Sequence, residues 1–216
     1  MDKQKEEIVP ADFFESPEFS LSAVSDYVWQ LLQLAAQKGR YAFHTPVVAA
    51  LSEKQLPDAR VVVLREVNPS KQTLAYHTDY RSPKVKALKT SPHVHWTFYD
   101  SQWKLQLRVE STAEVHHQDE IADAAWEQSR LSSRRCYLAP YPPGSILNEK
   151  HPNLPEEWRG EVPDEASTQV GKIHFCKVVC HVRRVDWLYL NYKGNYRGAF
   201  GRSSNNKSTF QHFLAP

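Results

Sequence analysis

Long apolar runs are missing from this sequence. No stretch approaches the roughly 20 residues that cross a bilayer. The opening Met1-Asp2-Lys3-Gln4-Lys5-Glu6-Glu7 is charged with no apolar segment behind it, so neither a membrane span nor a secretory leader is expected. Cysteine is scarce: Cys136, Cys176 and Cys180 are an odd number, thinly spread. Cys176 and Cys180, four apart in a predicted strand, would lie roughly 13 Å apart, beyond disulfide reach. Reduced, buried thiols in a cytoplasmic protein are the expectation. An excess of one charge is lacking too. With 27 basic and 25 acidic residues the net charge is +2, which makes no case for nucleic acid. There is no Gly-x-Gly-x-x-Gly and no βαβ rhythm, which excludes a Rossmann domain. Internal repeats and low-complexity tracts are absent.

What is present is 216 residues, 41% hydrophobic and 24% charged, enough for one domain with a substantial core. Residues 1–20 read as a loose segment and 21–216 as the domain. Val24, Tyr27, Val28, Leu31, Leu32 and Ala35 recur at helical spacing, predicting a helix over Ser22–Lys38. Strands are predicted at Tyr41–Leu51, Arg60–Val67 (apolar on both faces, hence interior), Thr73–Thr78 and His93–Tyr99. From Trp103 to Val115 apolar and polar residues alternate, the pattern of a long antiparallel strand with one wet face. Pro83 suits the first turn of a helix ending near Thr90, and Gln118–Arg130 reads as another helix. Residues 137–167 are rich in proline and charge and read as a surface excursion. Gly171–Leu190 and Tyr192–Phe200 read as a closing hairpin. The whole is mainly β with peripheral helices, a barrel of six or more antiparallel strands.

Two neighbouring segments carry the chemistry. Arg60-Val61-Val62-Val63-Leu64-Arg65 sets branched apolar residues between two arginines, and Tyr76-His77-Thr78-Asp79-Tyr80-Arg81-Ser82-Pro83-Lys84 runs from a strand into a helix start. Cations and a hydroxyl beside unpaired helix N–H groups suit a phosphate. The bland alternatives are strand-end ion pairs for Arg60 and Arg65, a solvent-facing residue for Gln106 and core filler for Trp187. His93 and His95 share a strand face, but without a third ligand no metal site is expected. His116-His117 ends a strand and reads as solvated.

In order and spacing these motifs resemble the pyridoxine/pyridoxamine 5′-phosphate oxidase family of FMN-binding split β-barrels, closest to its cyanobacterial-type members. The likeness covers roughly Ala59–Pro216. Arg60–Arg65 is similar to the family's arginine-led FMN strand, with Arg65 where lysine is usual. Thr78 falls on a flavin-contacting threonine, and His77 where the family has an aromatic. Ser82-Pro83-Lys84 stands at a Ser-Arg-Lys phosphate clamp whose arginine is replaced, with Arg81 nearby to supply a guanidinium. Gln106 in Gln106-Leu107-Arg108-Val109-Glu110 matches a flavin-bonding glutamine, and Trp187 and Arg197 keep the spacing of a C-terminal pair.

The resemblance implies FMN as cofactor, a homodimer with flavin at the interface, and hydride transfer from a small anionic substrate followed by reoxidation. A flat flavin ring needs apolar walls, for which Val62, Leu64 or a partner subunit's Trp187 would serve. The substrate positions it implies are Arg65, Trp126, Arg130, Arg134, Lys193 and Asn195, several altered in kind. A non-catalytic flavin-binding or sensor protein remains the alternative, and a nucleic-acid-binding barrel a remoter one.

Overall fold

The computed structural model describes residues 13–16, 19–202 and 209–216. Helix α1 spans Leu21–Gln37, opened by Ser20, whose side chain accepts from the Ala23 amide. Strands β1 (Val47–Leu51), β2 (Pro57–Val61), β3 (Glu66–Asn68) and β4 (Thr73–Asp79) precede helix α2 (Pro83–Thr90). Then come β5 (His93–Asp100), β6 (Leu105–His116), helix α3 (Glu120–Glu127), β7 (Phe175–Tyr189), β8 (Tyr196–Arg202) and β9 (Thr209–Leu214).

All nine strands join one antiparallel sheet in the order β2-β1-β5-β6-β7-β4-β3, with β8 on β7 and β9 on β8. β7 is the organising strand. One edge pairs with β6 along its length, while the other is shared, β4 taking Phe175–His181 and β8 taking Arg184–Tyr189. The register shifts between Glu110 and Ser111 on β6, where β7 skips from Arg184 to Val182 and leaves Arg183 as an extra residue. Gly201 is required there, because a Cβ would collide with the Arg183 carbonyl. The sheet therefore divides into two limbs and is not closed. The core lies inside its curl, built on Trp96, Phe98, Leu107, Trp187 and Tyr189 with α1 packed over it.

The long strand predicted at Trp103–Val115 forms as β6, inward residues 105, 107 and 109 alternating with outward ones. Other expectations are corrected. Arg60–Val67 is not one interior strand. β2 ends at Val61 on an exposed sheet edge, and the chain then changes partners: Val62 and Leu64 amides bond to Pro46 and His44 carbonyls, and Arg65 to Ala75. Val62 and Leu64 are buried while Val61 is exposed, so only one face of the branched run is covered within the chain. The predicted strand at Tyr41 begins with a 3₁₀ turn, Ala42–His44, and the closing strand starts at Phe175 after another, Gln169–His174. β9 was not foreseen. His116 is buried, not solvated, with Nδ1 3.0 Å from Asp119. Cys176 and Cys180 are buried as expected; Cys136 is exposed.

The loose segment expected over 1–20 falls largely outside the described residues. Where described, it is docked: Phe14 is 2% exposed and stacks on Tyr189 at 4.7 Å, and Glu15 accepts from the Tyr189 hydroxyl. Among the described residues no helix is long and apolar enough to cross a membrane, and no cluster of side chains could hold a metal ion.

Candidate functional site

At the start of α2, Ser82 is buried in the N-cap position, yet its side chain makes no capping bond. Pro83 follows as the first helical residue, where its missing N–H costs nothing. Lys84 on the first turn is half-buried, and among the described residues no hydrogen bond or ion pair reaches its ammonium group. Burial first, and then the Arg60 guanidinium, lower its pKa, against weaker opposing attraction from Cys176, Asp58 and Asp79. Arg60, on β2, is ion-paired with Asp58. A desolvated ammonium pressed by a second cation is under-compensated positive charge. A phosphate would relieve it, so these residues fit the terminal group of FMN.

Arg81 is differently placed. Its Nε and Nη2 grip Asp79 (3.1 and 2.7 Å to the two oxygens), and Nη2 donates to the Ala139 carbonyl at 2.9 Å. Its charge is already balanced, so the guanidinium expected to replace that of the clamp is committed elsewhere. Thr78 is buried opposite Cys176, and Val63 is half-buried between the core residues Val62 and Leu64.

A second group lies at the other end of β7. Gln106, Leu188 and Arg197 are direct cross-strand partners and share the outer face of the sheet. Arg197 donates to Asp186 from Nε (3.1 Å) and Nη2 (3.0 Å). Trp187 points the opposite way. It is 0% exposed, packed by Phe14, Phe19 and Phe213, and a Cβ on Gly198 would lie 2.6 Å from its ring. The expectation of Trp187 as a flavin wall offered across a dimer is therefore corrected: its surface is used up in its own core. From Cys176, near Lys84, to Leu188 is roughly 40 Å of strand path at about 3.3 Å per residue.

Between β4 and the turns after α3 opens a cavity of about 590 Å³. Arg65, His77, Thr78, Ser132, Arg135 and Tyr137 are among the residues that line it. A cleft sharing Arg65, His77, Ser129 and Ser133 adds Arg130. No hydrogen bond or ion pair joins the Arg65 or Arg130 guanidinium to any described residue. His77 lies edge-on to Phe175 at 4.8 Å, and burial, then Arg65 and Lys177, push its pKa down to about 3. It is a neutral imidazole at ordinary pH. Burial pushes the Tyr137 phenol far up, so it too stays neutral.

Of the other predicted substrate residues, two are structural. Trp126 is 0% exposed under Phe175 and Tyr137. Arg134 is 3% exposed, lies over the Trp126 ring, and donates to the Trp126 and Glu127 carbonyls. Lys193 and Asn195 belong to the β7–β8 turn, where both bond to Asn191, far along β7 from His77. The residues missed are Ser129, Ser132, Ser133, Cys136 and Asn153, while Arg135, which the sequence offers as half of a helix-end basic pair able to touch a phosphorylated substrate, joins the lining. The cluster of polar residues at 128–136 was a signal for some of them; Asn153 gave none.

The family described as pyridoxamine 5′-phosphate oxidase, FMN-binding domain, matches residues 26–117. A pyridoxine/pyridoxamine 5′-phosphate oxidase from Microcystis aeruginosa is 30% identical over 140 residues, 62% of this chain and 64% of that protein. One from Actinobacillus pleuropneumoniae is 34% identical over 122 residues, 49% and 56% of the two chains. The chain thus spans less than two thirds of these relatives. Among solved structures, a pyridoxamine 5′-phosphate oxidase-related, FMN-binding protein from Nostoc punctiforme superposes with a TM-score of 0.65 at 19% identity, over 93% of this chain and 98% of that one. PhzG from Burkholderia lata, in complex with tetrahydrophenazine-1-carboxylic acid, gives 0.62 at 10% identity over 98% of each chain. Residues 26–117 thus match the FMN-binding domain of the pyridoxamine 5′-phosphate oxidase family, a match that supports FMN as the cofactor, and the chain shares the fold of the FMN-binding split barrels.

Proposed function

We propose that this protein is an FMN-dependent oxidoreductase acting, as a cytoplasmic homodimer, on a small anionic substrate. The observation that carries the reading is Lys84, a half-buried ammonium without a bonded partner beside Arg60. Arg60, Lys84 and the Ser82 hydroxyl would hold the FMN phosphate. Bound FMN supplies the hydride-accepting ring. Gln106 and Arg197 are too far along β7 to serve the same flavin within one chain, which supports a two-fold partner offering them across an interface.

Arg65, which lines both cavity and cleft, and Arg130 in the adjoining cleft would bind and orient an anionic substrate. His77 can donate or accept a hydrogen bond without carrying charge. Trp126 and Arg134 are locked into packing, so the site lacks groups that a pyridoxamine phosphate oxidase is expected to use. A site missing polar partners discriminates strongly, and pyridoxamine 5′-phosphate is expected to be a poor substrate. Flavin binding without turnover is a second reading. It is favoured by His77 and Tyr137, whose pKa values are driven away from pH 7 so that both stay uncharged and neither is suited to proton transfer there.

The test is titration of the flavin-free protein with FMN and with riboflavin. FMN should bind the tighter by at least one charge-assisted contact, on the order of 1.5–3 kcal/mol. Equal affinities would remove the phosphate argument.

A further inference from the structure

Trp187 is consumed by its own core, yet the outer face that carries Gln106 and Arg197 has an aromatic ring of its own. Strand β5 alternates strictly, residues 94, 96, 98 and 100 buried and 93, 95, 97 and 99 exposed. Tyr99 therefore points outward, 51% exposed, between Phe98 at 0% and Asp100 at 4%. It is the direct cross-strand partner of Gln106, whose partner on the other side is Leu188, with Arg197 beyond. The row Tyr99, Gln106, Leu188 and Arg197 thus crosses four neighbouring strands on one face, about 14 Å from end to end at roughly 4.8 Å per strand.

The register holds the row together. Direct partners on one face have their Cβ atoms about 4.5–5.5 Å apart, so the Tyr99 ring is within side-chain reach of whatever the Gln106 amide bonds. Asp100, next in the chain, accepts from the Gln102 and Trp103 amides at 2.9 Å each, which pins the turn after β5 and with it the strand end that presents Tyr99. Among the described residues Tyr99 makes no hydrogen bond and no ring contact. A single exposed aromatic residue is ordinary on a protein surface; its place beside Gln106 is what sets this one apart. An amide that can bond the polar edge of a ring, flanked by an aromatic and an aliphatic side chain, is the makeup of a site for a flat heteroaromatic ligand.

We infer that Tyr99 is an aromatic wall of the flavin site, supplying the ring contact that Trp187 cannot, to the same isoalloxazine that Gln106 bonds. The inference rests on the proposed reading in which a two-fold partner offers this face to the flavin held at Lys84. A ring contact is indifferent to the phosphate, so Tyr99 should matter equally for FMN and riboflavin, where Lys84 matters for FMN alone.

Titration of the flavin-free protein with FMN and with riboflavin, for wild type, Tyr99→Ala, Tyr99→Phe and Gln106→Ala, tests it. Tyr99→Ala should bind both flavins more weakly by the same factor, about tenfold for one lost stacking partner. It should scatter light as the wild type does, having no described contact to lose. Tyr99→Phe should stay within about twofold of wild type for both ligands, since the ring is kept. Wild-type affinity in Tyr99→Ala, with Gln106→Ala weakened, overturns the wall and leaves the shared flavin site standing. If neither variant changes the affinity for either flavin, the shared site falls and the wall with it. A loss confined to FMN, a Tyr99→Phe as weak as Tyr99→Ala, or a Tyr99→Ala protein turned monomeric would each give Tyr99 another role and overturn the ring contact.

Discussion

Asp186 accepts two hydrogen bonds from Arg197, Nε at 3.1 Å and Nη2 at 3.0 Å, while Arg108 Nη2 reaches the same carboxylate at 2.8 Å. One buried acid thus holds two guanidiniums against the outer face of the sheet, beside Gln106. Burial would raise its pKa, but the bonds from Arg197 and Arg108 outweigh it and hold the carboxyl below its usual range. A depressed carboxyl contributes stability above its unfolded pKa, near 3.9, that is lost as pH falls through the folded value. Asp186→Asn should cost on the order of 1–3 kcal/mol at pH 7 in urea unfolding. It should lose less than wild type on acidification and weaken FMN binding by releasing Arg197. Unchanged stability and FMN affinity would show that the cluster is decorative.

Lys84 should show the opposite balance. Without flavin its ammonium is desolvated next to Arg60, no described group is hydrogen-bonded to it, and the attraction of Asp58 and Asp79 is the smaller effect. Lys84→Met is therefore expected to leave the flavin-free protein as stable as wild type or more so. Its affinity for FMN should fall by about tenfold or more, one charge-assisted bond being worth roughly 1.5–3 kcal/mol. Thermal unfolding with and without FMN reads both. A variant destabilised to the same degree in both states would make Lys84 structural.

The elements the sequence makes plain are those whose burial follows a simple period. β6 alternates because one face meets the core and the other does not, and α1 is amphipathic for the same reason. The break between β2 and β3 is invisible in Arg60–Arg65: four branched residues look alike whether they pair with one strand or cross between two, and distant carbonyls of Pro46, His44 and Ala75 decide the matter. At the site, residue type was readable and commitment was not. Arg81 and Arg134 are cations at plausible positions, but Asp79 and the end of α3 claim them. Trp187 and Arg197 suggest a pair by spacing, and strand parity sends them to opposite faces.

His77 makes acid sensitivity a local property. Burial, with Arg65 and Lys177, holds its folded pKa at about 3, against roughly 6.5 unfolded. Below about pH 6.5 the unfolded chain takes up a proton that the folded chain refuses, so stability is complete above that value and declines toward pH 3. By pH 5 this histidine alone should cost up to about 2 kcal/mol. His77→Phe should flatten the decline between pH 7.5 and 5 in urea midpoints. Parallel pH curves for variant and wild type would mean that other groups set the acid response.

Assembly is tested at the sheet edge. Val47 and Val61 are direct partners on β1 and β2, 38% and 64% exposed, an apolar pair on an edge that a second copy can cover. The wild type should scatter light as a particle near 50 kDa, twice the 24.9 kDa chain. Added FMN should favour that particle, since a ligand held across an interface stabilises it by mass action. Val61→Glu puts charge into the patch with no buried contact of its own to lose. It should shift the protein toward monomer and weaken FMN retention together, because Gln106 and Arg197 then have no route to the flavin held at Lys84. A monomer that keeps FMN with wild-type affinity would overturn the shared site.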